Sequence, residues 1–299
     1  MIDKIISYIN NKKLIKNKIK KISAFPLEIS FIMNFECNYN CTYCFAYKPK
    51  DKSEYRQHKS EEWTNRFLDI YRKYGKCRLV LTGGEPLFYK DSIDFVIKMT
   101  QYHFVSLGTN LFRDIDLIQE IISKSNHENL FITASFHPER AKIEEFVTKM
   151  KLLQNSGIKC DSTLVLYPPY LKDIDHYSNE FKSNNIPIYF FPYVGSYENR
   201  KYPENYTENE LKICKKYSNA AWDKSEKEKF ELPKTKNMRC FAGVKTISIY
   251  PNGDVKRCIS NKKTMGNIFD KNFELFDKPR PCELDFCDCQ MYWKYHLKI

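Results

Sequence analysis

Short apolar runs with strand character alternate with amphipathic helical patterns between residues 27 and 193. The first run, 27–33, is rich in β-forming residues, and a helical pattern follows each run. In 143–155, for example, Phe146, Met150 and Leu153 recur at helical spacing before the stop signal Gly157. The pattern predicts strands at 27–33, 77–81, 104–107, 130–136, 160–167 and 187–193, and helices near 61–74, 92–103, 115–123, 143–155, 174–181 and 208–229.

Alternation of this kind predicts an α/β fold, in which helices cover a parallel sheet. Six strand–helix units favour a partial, TIM-like (β/α)6 barrel that is open on one side over a closed eight-fold barrel. In such sheets, the loops that leave the carboxyl ends of the strands build the active site.

The pattern changes after about residue 231. Two strand-like runs, 245–250 and 255–259, flank an Asn252-Gly253 turn and predict a β-hairpin. We therefore expect three parts: a basic N-terminal helix at 1–26, the barrel at 27–230, and a small C-terminal hairpin/helix module at 231–299.

Composition adds limits to this prediction. The 299 residues are 42% hydrophobic and include 21 Phe and 21 Tyr, which is enough for a large core. The formal net charge of +12 is interpreted as Lys-rich solvated surface, with an anionic partner as the alternative. No RNA- or DNA-binding signature is present, so nucleic acid is not expected. The basic segment 1–22 is typical of an amphipathic helix packed on its own domain, or of one lying on a membrane surface.

The chain shows no apolar run of membrane-spanning length and no signal peptide, so a cytoplasmic location is expected. Eleven cysteines in a reducing compartment indicate metal binding more than a disulfide framework.

Three of these cysteines follow the first predicted strand, in the segment Cys37-Asn-Tyr-Asn-Cys41-Thr-Tyr-Cys44. Cuboidal iron–sulfur clusters are normally held by four thiolates. Three thiolates on one loop therefore leave the fourth iron open, which is what a catalytic metal requires. A zinc site with a distant fourth ligand is the alternative.

A second motif, Gly83-Gly84-Glu85-Pro86, follows the second predicted strand. The two glycines allow the backbone to approach a ligand closely, and Glu85 supplies an acceptor for a cationic group. An ordinary turn is the alternative. The position beside the cysteine loop, at the carboxyl end of the next strand, favours a ligand site.

The Cys-x3-Cys-x2-Cys loop and the GGEP segment together resemble the radical S-adenosylmethionine (SAM) superfamily, over residues 27–193. The resemblance implies that Cys37, Cys41 and Cys44 hold a [4Fe–4S] cluster. It also implies that the GGEP segment meets the methionyl end of SAM and that the residue before the last cysteine lies near the adenine. The expected SAM contacts are Tyr43, Gly83, Gly84, Glu85, Asn110 and Ser135. The family's adenine motif on the fifth strand is poorly matched by 163–166, and no polar role is assigned there.

Family membership implies an enzyme that cleaves SAM reductively to methionine and a 5′-deoxyadenosyl radical, which abstracts a hydrogen from the substrate. An electron donor such as flavodoxin or ferredoxin is then expected. The favoured hypothesis is an oxidoreductase acting on a small polar metabolite: a sugar, an aminocyclitol or a nucleotide-linked compound. One alternative is a maturase of a ribosomally made peptide, forming a thioether, a carbon–carbon crosslink or an epimer. Another is a non-catalytic iron–sulfur or zinc protein that acts as a sensor.

His137 lies in Ser135-Phe136-His137-Pro138-Glu139, at the predicted active rim. It is a candidate to contact SAM or substrate, or to act as an acid or base. A structural role in capping the following helix is the alternative.

The C-terminal cysteines form a second group. Cys240 and Cys258 flank the predicted hairpin, and this region resembles the twitch module, a shortened form of the SPASM extension. One auxiliary [4Fe–4S] cluster is expected, with these two cysteines as the firmest ligands and zinc as the alternative metal. The remaining ligands are drawn from Cys282, Cys287 and Cys289.

Overall fold

The computed structural model describes residues 25–44, 49–217 and 234–287. The predicted N-terminal helix, up to residue 24, lies outside these ranges. So do the second half of the predicted helix 208–229 and the candidate ligand Cys289.

A nine-stranded sheet organises the described residues. Its order is β12-β11-β10-β1-β2-β3-β4-β5-β6, parallel from β10 to β6 and antiparallel from β10 to β12. The strands in chain order are β1 (Glu28–Ile32), β2 (Arg78–Thr82), β3 (Phe104–Thr109), β4 (Leu130–Ser135), β5 (Lys159–Leu166), β6 (Ile188–Pro192), β7 (Gly195–Tyr197), β8 (Arg200–Tyr202), β9 (Arg239–Cys240), β10 (Thr246–Ile249), β11 (Asp254–Lys256), β12 (Thr264–Asn267) and β13 (Arg280–Pro281). β7 pairs with β8, and β9 pairs with β13.

Helices follow the parallel strands one by one, which confirms the partial-barrel prediction. They are α1 (Ser60–Tyr74), α2 (Asp91–Thr100), α3 (Ile115–Lys124), α4 (Ile143–Asn155), α5 (Ile174–Ser183) and α6 (Glu208–Tyr217). Short 3-10 turns lie at Lys52–Glu54, His127–Asn129 and Pro168–Asp173. The prediction that the second helix runs to residue 103 is wrong, because His103 turns into the core and its Nδ1 accepts a hydrogen bond from the Cys77 N–H.

The first helix shows why these segments are helical. Trp63, Phe67 and Ile70 recur every three or four residues and are buried, whereas the other face is charged. Gly75 ends the helix with φ +78°.

The two faces of the sheet differ in chemistry. Phe31 packs on the rings of Trp63 and Phe67 at 4.5 and 5.1 Å, and Phe136 packs on Phe146 and Phe181. The apolar face of the sheet therefore packs against the helices. Because side chains alternate along a strand, the opposite, inner face carries a mostly polar set. Its members include Ser30, Thr82, Ser106, Thr133, Ser135, Asp161 and Thr163.

The C-terminal hairpin joins this same sheet. β10 pairs in parallel with β1, with Glu28 beside Thr246 and Phe31 beside Ile249. Ile247 and Ile249 are buried, so β10 covers an edge of β1 that would otherwise expose apolar surface. The hairpin that was predicted as part of a separate module is thus continuous with the barrel, and a third strand, β12, extends it.

None of the helices within the described ranges combines the length and the apolar character needed to cross a membrane.

The β1–β2 pairing continues beyond both strands. The N–H of Met33 donates to Thr82 O at 2.9 Å, that of Gly84 to Asn34 O at 2.9 Å, and that of Glu85 to Glu36 O at 2.7 Å. A Cβ built on Gly84 would lie 2.0 Å from Glu36 O. Gly84 is therefore needed where the GGEP segment touches the chain leading into the cysteine loop, and the close approach is made by backbone.

We predict that Gly84→Ala destabilises the fold by about 1–3 kcal/mol, because the new methyl group meets a backbone carbonyl that cannot rotate away. Urea unfolding of the purified chain measures the effect. Gly108→Ala is the matched control, since a Cβ there meets nothing closer than Leu81 O at 3.6 Å. Equal free energies of unfolding for the two variants would contradict the steric argument.

Candidate active site

The three-cysteine loop begins where β1 ends, at the edge of the sheet formed by the carboxyl ends of the strands. Cys37 and Cys41 are half-buried and Cys44 is exposed. The Cys37 sulfur accepts a hydrogen bond from the Tyr39 N–H at 3.3 Å. The sulfurs are thus held at the rim of the barrel.

The thiols of this loop influence one another electrostatically. Burial raises the pKa of Cys41 to about 11, and the charges of Glu139 and of the Cys44 and Cys37 thiolates add to the rise. A bound metal would lower the pKa of the Cys41 thiol again, because it binds the thiolate form and supplies the positive charge that the thiolates lack. The donor set therefore fits an iron–sulfur cluster, although within the described ranges no three His, Cys, Asp or Glu side chains converge on one point.

Glu85 is turned into the fold, where it is 1% exposed. Its carboxylate accepts hydrogen bonds from the Thr109 hydroxyl and the Asn110 N–H, each at 2.7 Å, and from the Leu87 N–H at 2.9 Å. Burial raises its pKa to about 7, even though these three donors favour the charged form. Glu85 thus ties the GGEP segment to the end of β3, whereas the sequence predicted an acceptor open to a ligand.

Asn110 connects the end of β3 with the cysteine loop. Its side-chain amide donates to Asn38 Oδ1 at 2.9 Å and lies 3.9 Å from the Cys37 sulfur. The predicted SAM contact is therefore placed next to the first cysteine.

Ser135 lies at the end of β4, half-buried on the inner face. Its hydroxyl is 3.1 Å from that of Thr163 on β5, so the two form a hydrogen-bonded pair. Thr163 was assigned no polar role from the sequence, because a motif comparison does not reveal which face of a strand a residue occupies.

The segment after β4 holds the cysteine loop from the other side. The Glu139 carboxylate accepts hydrogen bonds from the Thr42 N–H, at 3.0 Å, and from the Thr42 hydroxyl. The Arg140 guanidinium donates to Asn40 O at 2.7 Å. Neither residue was identified from the sequence. The available signal was a pair of opposite charges directly after a predicted strand end.

His137 contacts the same loop through Tyr43. The Tyr43 hydroxyl and His137 Nδ1 are 2.9 Å apart, and the two rings stack with centroids 5.8 Å apart. Burial lowers the pKa of His137 to about 4, so the ring is neutral near pH 7. This arrangement favours positioning of Tyr43; the acid–base role of His137 stays a prediction.

Tyr43 itself is buried in an aromatic group at the ends of β4 and β5. Its ring lies 5.1 Å from that of Tyr167 and 6.1 Å from that of Tyr170. The residue before the last cysteine therefore anchors the loop in the core and leaves little of its ring accessible.

A pocket beside the loop lies between the end of β3 and the start of α4, and is lined by Tyr39, Asn110, Arg140 and Lys149 among others. Two of its cationic side chains bind backbone carbonyls. Lys149 donates to Leu111 O at 2.9 Å, while Arg140 holds Asn40. The pocket thus borders the anchoring contacts of the loop.

The four described C-terminal cysteines lie on or next to a short antiparallel ribbon. Cys240 on β9 is paired with Arg280 on β13, and the Cys282 N–H donates to Met238 O at 2.8 Å. The Arg257 guanidinium donates to Pro281 O at 2.8 Å, which brings the neighbouring Cys258 to the same ribbon. Further along, Phe286 forms a β-bridge with Lys234, immediately before Cys287. Four of the five candidate ligands thus lie along one structural unit.

Comparison with known proteins agrees with the overall fold. A protein of Methanocaldococcus jannaschii, assigned as a glycyl-radical enzyme activating enzyme, is 21% identical over 221 residues, covering 67% of this chain and 84% of that protein. Streptococcus suis SuiB, solved bound to S-adenosylmethionine, has a TM-score of 0.57 at 20% identity and covers 88% of this chain and 68% of SuiB. The structure of anSMEcpe with bound AdoMet has a TM-score of 0.58 at 15% identity, covering 82% of this chain and 79% of that one.

Residues 31–179 match the family model of the Radical SAM superfamily. The matched segment contains the cysteine loop, the GGEP segment and the strand ends that hold them. The chain therefore belongs to the radical SAM superfamily.

Proposed function

We propose that Cys37, Cys41 and Cys44 hold a [4Fe–4S] cluster and that the chain uses it to cleave SAM. The observation that carries this proposal is the anchoring of one three-cysteine loop to the ends of three neighbouring strands. Backbone contacts reach it from β2, Asn110 from β3, and Glu139 from β4. A loop held from three sides offers fixed thiolates at an open rim, which suits a catalytic cluster.

Cys37, Cys41 and Cys44 would hold the cluster, and a bound cluster would supply the one electron needed to break the S–C5′ bond of SAM, giving methionine and a 5′-deoxyadenosyl radical that takes a hydrogen atom from the substrate. The protein's own residues position the reactants and exclude water. Asn110 and the Ser135–Thr163 pair offer polar contacts on the inner face, beside the cysteine loop. The Glu85 carboxylate is buried under three donors, so we expect the ammonium group of SAM to meet the backbone of the GGEP segment rather than this side chain.

An auxiliary [4Fe–4S] cluster in the C-terminal region is the second part of the proposal. Its support is the ribbon along which Cys240, Cys282 and Cys287 lie, with Cys258 following the Arg257 that binds it; three of these cysteines are buried and one is half-buried. Buried thiols suit a closed cluster with four protein ligands, in contrast to the open rim of the first site.

For the substrate, we favour oxidation of a small polar metabolite. The inner face of β4 and β5 carries the hydroxyl side chains of Thr133, Ser135 and Thr163, which suit a hydroxylated compound. Peptide maturation is the second candidate, because matching structures include SuiB bound to precursor peptide SuiA and anSMEcpe with a bound peptide.

An external electron donor, such as flavodoxin or ferredoxin, is expected to reduce the cluster. The formal net charge of +12 favours a partner with an acidic surface.

Replacing Cys37, Cys41 and Cys44 together with Ala should abolish formation of 5′-deoxyadenosine, because no thiolate is left to hold the catalytic iron. The assay is anaerobic reconstitution, addition of dithionite and SAM, and chromatographic detection of the nucleoside. Cys160→Ala controls for loss of a thiol outside the loop. A wild-type protein that is fully loaded with iron but releases no 5′-deoxyadenosine would favour the non-catalytic sensor.

Iron counting tests the second cluster. The triple loop variant should keep about four irons per chain, and Cys240→Ala combined with Cys258→Ala should also keep about four, against about eight in the wild type. Elemental analysis measures iron and zinc together. Zinc at the C-terminal site, or a triple variant without iron, would contradict an auxiliary iron–sulfur cluster.

Removing the Glu139 carboxylate should loosen the cysteine loop. We expect Glu139→Ala to lose cluster iron several-fold faster on exposure to air or chelator, since the Thr42 N–H and hydroxyl lose their acceptor. The decay of cluster absorbance measures this rate. Glu144→Ala, at the exposed start of α4, is the matched control and should decay like the wild type. Identical decay of both variants would show that the contact is dispensable.

A further inference from the structure

Asp161 is a half-buried carboxylate that none of the contacts described above uses. It lies on the inner face of β5, beside Thr133 of β4 in the strand register. The Thr133 hydroxyl donates one hydrogen bond to it. The other oxygen, Oδ1, is buried and has no hydrogen-bond partner in the described part of the chain.

The position of Asp161 relates it to the proposed SAM site. Thr163, which pairs with Ser135, is two residues further along the same strand and on the same face. Two residues of a strand span about 7 Å, so Asp161 lies one side-chain layer deeper in the barrel than this pair. A substrate group placed below SAM would meet it.

Asp161 has no cationic partner among the described residues. Across the ranges 25–44, 49–217 and 234–287, no Lys or Arg forms an ion pair with it. Burial raises the pKa of its carboxyl group, and the Thr133 hydrogen bond offsets only part of this effect. A cation that entered the barrel would restore the charged form and satisfy the second oxygen.

The neighbouring strand adds an aromatic surface. Tyr189 of β6 is aligned with Thr163, which places it on the inner face, and 43% of it is exposed. An aromatic face at the edge of a polar wall suits the apolar side of a sugar or cyclitol ring, and it also attracts cations.

We propose that Asp161 binds a protonated amino group of the substrate, with Thr133 orienting the carboxylate and Tyr189 covering the ring. The substrate class is then an amine-bearing small molecule, an amino sugar or aminocyclitol. This inference rests on the proposed function, whose substrate class it narrows. It assigns Asp161 to specificity and gives it no part in holding the cluster.

Matched pairs of probes test the inference on the reconstituted holoenzyme with SAM bound. The pairs are glucosamine with glucose and 2-deoxystreptamine with scyllo-inositol, and calorimetry or ligand-observed NMR gives their dissociation constants. We expect at least one amine probe to bind about tenfold or more tightly than its hydroxyl counterpart, and Asp161→Asn to remove that preference. Asp116→Asn, on the exposed start of α3, should keep both the preference and SAM cleavage.

Equal binding of amine and hydroxyl probes by the wild type overturns the proposal, and so does a preference that survives Asp161→Asn. Asp161→Ser provides the same test if the first variant does not accumulate. An acetylated Gly-Lys-Gly peptide is tested as a further amine probe. If it alone binds tightly and the amine-bearing sugar and cyclitol do not, the assignment to a small-molecule substrate is overturned. Failure of the proposed function is separate, because it appears as absence of 5′-deoxyadenosine from the wild type with no probe present.

Discussion

The backbone contact between residues 34–36 and 83–85 determines where the cysteine loop begins. It requires glycine at position 84, because a side chain there would overlap Glu36 O. Glu85 then carries the contact across to β3 through Thr109 and the Asn110 N–H. These contacts fix the ends of β1, β2 and β3 relative to one another. A small backbone shift at this point would move the loop, the GGEP segment and Asn110 together.

The loop is held by groups of different chemistry on its two sides. On the β2 and β3 side, backbone amides and the neutral Asn110 amide make the contacts. On the β4 side, two charged residues bind the loop: Glu139 accepts from Thr42, and Arg140 donates to Asn40 O. The donors next to Cys37 are neutral, so they place no positive charge beside its sulfur. The Arg140 guanidinium lowers the pKa of Cys41, but this effect offsets only part of the rise caused by burial. The protein therefore fixes the loop in place without supplying enough positive charge to balance its thiolates.

The sequence predicted the features that depend on local pattern. Alternating periodicity located the six parallel strands and their helices, and cysteine spacing located the loop. Prediction from the sequence failed where the direction of a side chain depends on residues distant along the chain. Glu85 turns inward because the end of β3 supplies hydrogen-bond donors to its carboxylate. Thr163 forms a polar contact because Ser135 lies beside it on the neighbouring strand. It also failed for β10, since parallel pairing with β1 is a long-range contact that no turn signal reports.

That last pairing has a consequence for how the chain is made. β1 and β10 are separated by more than two hundred residues, so β1 keeps an unpaired edge while most of the chain is synthesised. The loop with Cys37, Cys41 and Cys44 extends from this strand. The nascent barrel is thus left open next to the three-cysteine loop until β10 has been synthesised, and only then can pairing with β1 complete that wall.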